Sequence, residues 1–107
     1  MILAVMSDLI FQVKIMDAAK RLGRDVRFVT DLPDPPPAVD LVLFDMGFQP
    51  TQQLERIARA TEHGIRTVAF ISHVQTDLRR LTEEAGCDAV VARSAFVSKL
   101  PELLRGP

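Results

Sequence analysis

Two aspartates and a serine stand where buried strands are expected to end, and these side chains are well placed to do chemistry. Asp45 closes the run VDLVLFD, Ser72 closes AFIS, and Asp8 follows ILAVMS. Two carboxylates can supply the roughly one or two protein ligands that Mg²⁺ often takes, and a hydroxyl can hydrogen-bond an anion. Whether the three side chains meet depends on the elements that carry them.

Short apolar runs alternate with amphipathic stretches, which predicts strands and helices in turn. The predicted strands are 2–6, 26–29, 40–44, 67–71 and 89–92, and the predicted helices are 9–22, 51–64, 74–86 and 96–104. The apolar face of the first helix is marked by Leu9, Val13, Met16 and Leu22. Pro101 is expected at a break or in the first turn of the last helix.

Strands that are apolar on both faces and separated by helices predict a parallel sheet covered on each side. The expected fold class is α/β, with three layers around a five-stranded parallel sheet in the order 2-1-3-4-5, in one domain spanning residues 1–107. The interval TDLPDPPPAV lies between strands two and three. Its clustered prolines remove amide donors and fix φ, so the helix expected there should be shortened or missing.

In an open parallel sheet, ligands bind beyond the carboxyl ends of the strands, near the point where the strand order reverses. For the predicted order, that point lies between strands one and three. An ionised Asp45 would stay hydrated in such a crevice while its strand is buried. The residues expected to face or border the crevice are Ser7, Asp8, Asp45, Ser72, His73 and Arg93.

With these residues placed, the chain resembles the response-regulator receiver domains, which are CheY-like proteins with a flavodoxin-like fold. DLVLFD is similar to the receivers' third strand, which ends in the aspartate that receives a phosphoryl group. The resemblance assigns that position to Asp45, and it assigns Ser72 to the hydroxyl that moves toward the phosphate. ILAVMSD and the helix up to RLG align without a gap, so the resemblance covers essentially the whole chain.

The residues of the receivers' phosphorylation chemistry are replaced in this sequence. Receivers carry two adjacent acids at the end of strand one that bind Mg²⁺, but Met6 and Ser7 occupy these positions and only Asp8 follows. Receivers also carry a lysine at the end of strand five, where VVARS has Ala92, followed by Arg93 and Ser94. An aspartyl nucleophile needs positive charge over the phosphoryl oxygens. At most a weak Mg²⁺ site, at Asp8 and Asp45, is expected.

The charged candidates also have plainer roles open to them. Asp8 could be the N-cap of the first helix instead of a metal ligand. Asp45 could be a strand-end residue that merely bonds a loop amide. Arg93, with Ser94, could bind an anion near a helix start, or it could pair with a nearby carboxylate.

The segment ISHVQTD offers a similar choice. Ser72 or Thr76 could cap the helix that follows, with His73 at the rim, because neighbouring side chains at a strand end diverge and do not form a catalytic dyad. His73 could also cover the crevice or sense pH within it. Cys87 precedes the fifth strand and is expected to be a small core residue.

The charge balance and hydropathy limit the partners. The 13 basic and 14 acidic residues give a net charge of −1, which provides no field to attract nucleic acid or an anionic membrane. No apolar run approaches the roughly 18 residues that span a bilayer, and the opening MILAVMSDLIF lacks a basic leader. We therefore expect a cytoplasmic protein with neither nucleic acid nor membrane as a partner.

These patterns favour a stand-alone receiver-like signalling or protein-interaction module that does not depend on phosphorylation and is not an enzyme. Two alternatives stay open: an atypical phosphoacceptor modified on Asp45, and a protein that binds a small molecule or anion in the crevice. The resemblance implies a protein partner and allows a homodimer through the receivers' helix four, strand five and helix five. Here that face includes Leu78, Val97 and Leu100. An uncovered edge near strand two is another docking option.

Overall fold

The strands and helices alternate along the chain in the computed structural model, which describes residues 1–72 and 74–105. The strands are β1 (Ile2–Val5), β2 (Val26–Val29), β3 (Leu41–Asp45), β4 (Arg66–Ile71) and β5 (Ala89–Ala92). The helices are α1 (Leu9–Arg21), α2 (Pro50–Glu62), α3 (Thr76–Glu84) and α4 (Arg93–Arg105). All strand pairs are parallel, in the order β2-β1-β3-β4-β5. The predicted fold class and strand order are confirmed.

The sheet carries a separate apolar core on each face. Leu41 and Leu43 of β3 face the core that α1 and α4 cover, whereas Val42 and Phe44 face the core that α2 covers. Every residue of β3 is buried, as expected for a central strand whose side chains alternate between two covered faces. This layering explains why Leu41, Val42, Leu43 and Phe44 of β3 are apolar in succession.

No helix forms between β2 and β3 in residues 30–40, a stretch that the structure describes completely and that we call the proline segment. Leu32 is buried and anchors the segment to the core beside α2. Two arginines of α2 hold it from the side: Arg56 Nε donates to Asp31 Oδ1 at 2.9 Å, and Arg59 Nη2 donates to the Leu32 carbonyl at 3.1 Å. The predicted loss of this helix is confirmed.

The apolar face assigned to α1 from the sequence is wrong. Leu9, Val13 and Met16 are exposed, with 73%, 63% and 50% of their surface open to solvent, whereas Ile15 and Ala19 are buried against the sheet. The helix carries apolar residues on both sides, so the spacing of three or four fits two faces equally well. Ile15 belongs to the core that contains Phe70 and Phe96, and packing in this core determines which face of α1 is buried.

The last helix begins earlier than predicted. It starts at Arg93, directly after β5, so Pro101 lies in the interior of a continuous helix and not at a break or in the first turn. Proline removes one intrahelical hydrogen bond there. The carboxyl-terminal turn is nevertheless held, because Arg66 Nη1 donates to the Leu103 carbonyl at 2.8 Å and Arg24 Nη1 donates to the Leu104 carbonyl. These arginines satisfy carbonyls that a helix end leaves without partners.

Cys87 lies between α3 and β5, partly buried against the core that α2 covers. Its thiol donates a hydrogen bond to the Ala89 carbonyl, with a sulfur–oxygen distance of 3.3 Å. Burial raises the pKa of this thiol above its ordinary value, because the thiolate would lose hydration. The expectation of a small core residue agrees with this position.

We predict that Pro101→Ala stabilises the protein by about 1–3 kcal/mol, since it restores an amide donor inside α4 and removes the clash of the proline ring with the preceding turn. Urea unfolding would measure the change. Lys99→Ala, at an exposed position of the same helix, serves as the control and should change stability by less than about 0.5 kcal/mol. An unchanged or lowered stability of Pro101→Ala would contradict this assignment.

The raised pKa of Cys87 predicts a loss of stability at alkaline pH. Below the ordinary thiol pKa, about 8.5, both states are protonated and the contribution is fully present. As the pH rises from there toward the folded-state pKa, the unfolded chain releases its proton first, and the free energy of unfolding falls. Denaturant titrations above pH 8.5 should show a shallower decline in Cys87→Ala; equal slopes would refute the prediction.

Candidate functional site

A crevice opens at the carboxyl ends of the central strands. Its volume is about 340 Å³, and its lining comprises Ser7, Asp8, Asp45, Gly47, Phe48, Ser72, Gln75 and Arg93. The parallel register aligns these strand ends, with Asp45 opposite Phe70 of the neighbouring strand. The crevice therefore brings together all of the site residues expected from the sequence except His73, which lies outside the described residues.

Asp45 is the last residue of β3, and only 5% of its side-chain surface is exposed. Its Oδ1 accepts a hydrogen bond from the Gly47 amide at 2.9 Å and another from Arg93 Nη1 at 3.0 Å. A Cβ at residue 47 would lie 3.2 Å from that oxygen, so glycine allows the chain to turn closely around the carboxylate. The carboxylate thus bonds a loop amide and an arginine at the same oxygen.

Asp8 caps α1. Its Oδ1 accepts from the amides of Ile10 and Phe11 at 3.0 and 3.2 Å, which confirms the N-cap interpretation. The other oxygen, Oδ2, accepts from Arg93 Nη2 at 2.5 Å. Both oxygens of this carboxylate therefore have donors within the protein.

Arg93 holds the crevice together from the first turn of α4. Its guanidinium bridges the two carboxylates, one nitrogen to each. Its Cζ also lies 4.1 Å from the centre of the Phe11 ring and 5.5 Å from that of Phe70, a stacking geometry that favours a planar cation. With 32% of its side chain exposed, the arginine is partly buried beside the two carboxylates. It pairs with carboxylates, but within the crevice and not on the outer surface.

The positions at the end of β1 carry no acid toward the crevice. Met6 is buried within the core between the sheet and the helices α1 and α4, and Ser7 is exposed at the rim. Ser72 lines the crevice and is half-buried, and its carbonyl accepts from the Gln75 amide at 3.1 Å. The suggestion that Ser72 or Thr76 caps the following helix is wrong, since Gln75 is the N-cap residue and no side-chain cap bond forms among the described residues.

Sequence reasoning missed two buried polar residues of α2 that support the crevice from below. Gln53 Nε2 donates to the carbonyls of Val5 and Asp45 at 2.9 and 3.1 Å, so one amide joins the ends of β1 and β3. Gln53 Oε1 accepts from Arg56 Nη1 at 3.0 Å. The sequence could have indicated Gln53 and Arg56, because they share the buried face of α2 with Ile57 and polar groups on a core face need internal partners.

The receiver resemblance implies Mg²⁺, but the residues present do not fit this ion. Within residues 1–72 and 74–105, no group of three or more histidine, cysteine, aspartate or glutamate side chains could hold a metal. The two carboxylates that meet are already bridged by the guanidinium of Arg93. A divalent cation between them would lie against a positive charge and would have to displace it.

No family model and no curated protein matches the sequence. Among solved structures, a CheY-like response regulator receiver domain protein from Methanospirillum hungatei is similar over 97% of this chain and 89% of its own, with a TM-score of 0.80 at 17% identity. A response regulator from Thermotoga maritima gives a TM-score of 0.78 at 18% identity, covering 97% of this chain and 92% of its own.

A third similar structure is the receiver domain of a sensor histidine kinase from Pseudomonas aeruginosa, which has a magnesium ion coordinated in its active-site cleft. It covers 97% of this chain and 93% of its own, with a TM-score of 0.79 at 18% identity. The chain has the fold of a CheY-like receiver domain. At such low identity the receiver fold alone is shared, and the chemistry must be argued from this chain's residues.

Within the receiver fold, Asp45 occupies the end of the third strand and Arg93 follows the fifth. The two are far apart in sequence and meet only because β3 and β5 flank β4 in one parallel sheet. The arginine therefore comes from the neighbourhood in which the resemblance places a lysine, yet it reaches across the crevice to both carboxylates. The receiver fold is kept with a different arrangement of charges.

We predict that Arg93 and Asp45 are energetically coupled. Arg93→Ala should lower the free energy of unfolding by about 2–3 kcal/mol, because it leaves the buried Asp45 carboxylate without its cation. This loss of stability is smaller than the loss expected for a fully buried ion pair, since the arginine is about one-third exposed. Asp45→Ala alone should lose about 2 kcal/mol for the corresponding reason.

The double variant should lose less than the sum of the two single changes, by about 1 kcal/mol, because removing both partners leaves neither charge unpaired. Urea unfolding of the four proteins completes the cycle. Arg80→Ala breaks the exposed pair with Glu84 within α3 and should change stability by less than about 0.5 kcal/mol. Strict additivity of Arg93→Ala and Asp45→Ala would show that the bridge is not formed in solution.

Proposed function

We propose that this chain is a receiver-like signalling module that works through contacts with a protein partner, catalyses no reaction and does not depend on phosphorylation of Asp45. The proposal is carried by one observation: the Arg93 guanidinium bridges the carboxylates of Asp8 and Asp45. The solved structures with the same fold are response regulators or receiver domains, which supports a role in signalling.

Phosphoryl transfer to an aspartate needs an accessible carboxylate oxygen and positive charge over the transferred group. Here only 5% of the Asp45 side chain is exposed, and its Oδ1 already accepts hydrogen bonds from Arg93 and Gly47. Arg93 lines the crevice and bonds the carboxylates of both Asp45 and Asp8. An incoming phosphoryl donor would have to break this bridge before it met the carboxylate. The internal cation therefore argues for a crevice that is held in one state.

The surface proposed for the partner is the exposed apolar side of α1. Leu9, Ile10, Val13 and Met16 lie on one side of this helix, each at least half exposed. They begin directly after Asp8, so the crevice and this surface share the start of α1. Contiguous exposed apolar side chains mark interaction sites more often than scattered ones do.

The receivers' helix-four, strand-five and helix-five face corresponds here to α3, β5 and α4, and it is a weaker candidate for a homodimer than the sequence indicated. Leu100 is 1% exposed and Leu78 is half-buried in the core, so of the three residues only Val97, at 37%, offers an exposed apolar side chain. We therefore propose that a protein partner binds at α1. Among the described residues, no helix is both long and apolar enough to cross a membrane.

We predict that acetyl phosphate with Mg²⁺ leaves Asp45 unmodified, because Arg93 occupies the carboxylate. Intact-mass spectrometry at short times would measure any added phosphoryl group, and beryllofluoride with Mg²⁺ provides an independent test through amide shifts of Gly47. Asp45→Ala is the control for modification elsewhere in the chain. A phosphoryl group on the wild type that is absent from Asp45→Ala would overturn the proposal and establish a phosphoacceptor.

The exposed apolar side of α1 can be tested as a docking surface by substitution. Val13→Glu should abolish recovery of a specific partner, whereas Asp45→Asn should leave it unchanged, because the first changes the docking surface and the second only removes the acceptor charge. Circular dichroism would establish that both variants are folded. Loss of the partner in Asp45→Asn together with retention in Val13→Glu would contradict both parts of the proposal.

A further inference from the structure

A groove of about 350 Å³ lies between α1 and α4, on the sheet face that these helices cover and away from the crevice. Its floor is apolar: Ala18 and Leu22 come from α1, and Val97, Leu100 and Pro101 come from α4. Its volume falls in the range of about 300–1,000 Å³ that is typical of binding clefts. Neither the Asp8–Asp45 site nor the exposed side of α1 includes these floor residues.

The rim of the groove is basic. Lys14 and Arg21 border it on α1, and Arg105 borders it on α4, against the single carboxylate of Asp17. That carboxylate is already paired, since Asp17 Oδ2 lies 3.1 Å from Arg21 Nη2. Among the described residues, no carboxylate pairs with Lys14 or Arg105, so both can face a negatively charged ligand, although the whole chain has a net charge of −1. This positive charge is local to the groove.

Both walls of the groove are held in place. Three rings join α1 and α4 to the sheet: Phe70 stacks on Phe96 with centroids 4.1 Å apart, and Phe11 lies 5.6 Å from Phe70. At the other end of α4, Arg24 and Arg66 donate to its last carbonyls. A groove between fixed walls loses little entropy when a ligand enters it.

Pro101 gives the groove a second unusual property. A proline inside a helix is destabilising, yet Pro101 lies in the interior of α4 and on the groove floor. It has no amide hydrogen to donate to the Val97 carbonyl one turn earlier, and Val97 also lines the groove. Positions where local preference is violated without a gain in packing are often functional.

We propose that this groove binds an acidic amphipathic segment of a partner protein. Its apolar side chains would pack on Ala18, Leu22 and Val97, and its carboxylates would face Lys14 and Arg105. From Val97 to Arg105 the wall is about 12 Å long, which matches about two turns of a docked helix. The groove is a second docking surface, separate from the exposed side of α1.

The test uses a synthetic helical peptide with leucines spaced for one face and glutamates flanking them, and a second peptide in which lysines replace the glutamates. Amide shifts in a ¹⁵N-labelled sample of the full chain would locate binding. The glutamate peptide should shift residues of α1 and α4 around the groove and bind at least about tenfold more tightly than the lysine peptide. Binding by neither peptide at millimolar concentration would overturn the proposal.

Charge reversal supplies matched controls on the same two helices. Lys14→Glu and Arg105→Glu should each weaken binding of the glutamate peptide by about five- to tenfold, because each reverses a rim charge. Lys20→Glu and Lys99→Glu reverse exposed charges that do not line the groove, and they should leave binding nearly unchanged. Equal losses in rim and control variants would reveal general charge attraction and refute the site. None of these variants alters the crevice, so this result is independent of the phosphorylation experiment.

Discussion

The crevice depends on one guanidinium shared between two carboxylates. Arg93 lies 3.0 Å from Asp45 Oδ1 and 2.5 Å from Asp8 Oδ2, and its guanidinium carbon lies 4.1 Å from the centre of the Phe11 ring. Because Asp8 also caps α1, the arginine connects the start of α1, the start of α4 and the end of β3. A bidentate cation with a fixed plane sets direction as well as distance, which a lysine in the same place could not do. The proposed function, which does not depend on phosphorylation of Asp45, rests on this arrangement.

The same crevice is supported from the opposite sheet face by polar groups that have no contact with solvent. Gln53 is buried completely, and it joins the carbonyls of Val5 and Asp45 while accepting from Arg56. Such a network is favourable only when every member has a partner, and it then fixes one arrangement of the strands. The two sides of Asp45 are thus held differently: a partly buried ion pair orients its carboxylate, and a buried amide holds its backbone.

The strand order and the crevice could be predicted because parallel strands impose a strong pattern: β3 is apolar at four successive positions and then carries Asp45. The ion pair between that carboxylate and Arg93 could not be predicted, since Arg93 lies 48 residues away and the direction of its side chain depends on where α4 begins. The face of α1 was also undetermined, because Leu9 and Ile15 both belong to apolar rows with helical spacing. Packing of α1 against the sheet selects the face with Ile15, and the spacing of apolar residues within the helix does not contain this information.

The proline segment limits how far this chain can exchange parts with other proteins of the same fold. Arg56 is 6% exposed, its charge is balanced by Asp31, and Gln49 of the loop before α2 accepts a hydrogen bond from it. A transplanted crossover helix would remove the aspartate and leave a guanidinium stranded inside the domain. Chimeras that import such a helix must therefore replace Arg56 and Gln53 together with it, so the shortened connection and the interior of α2 behave as a single structural unit.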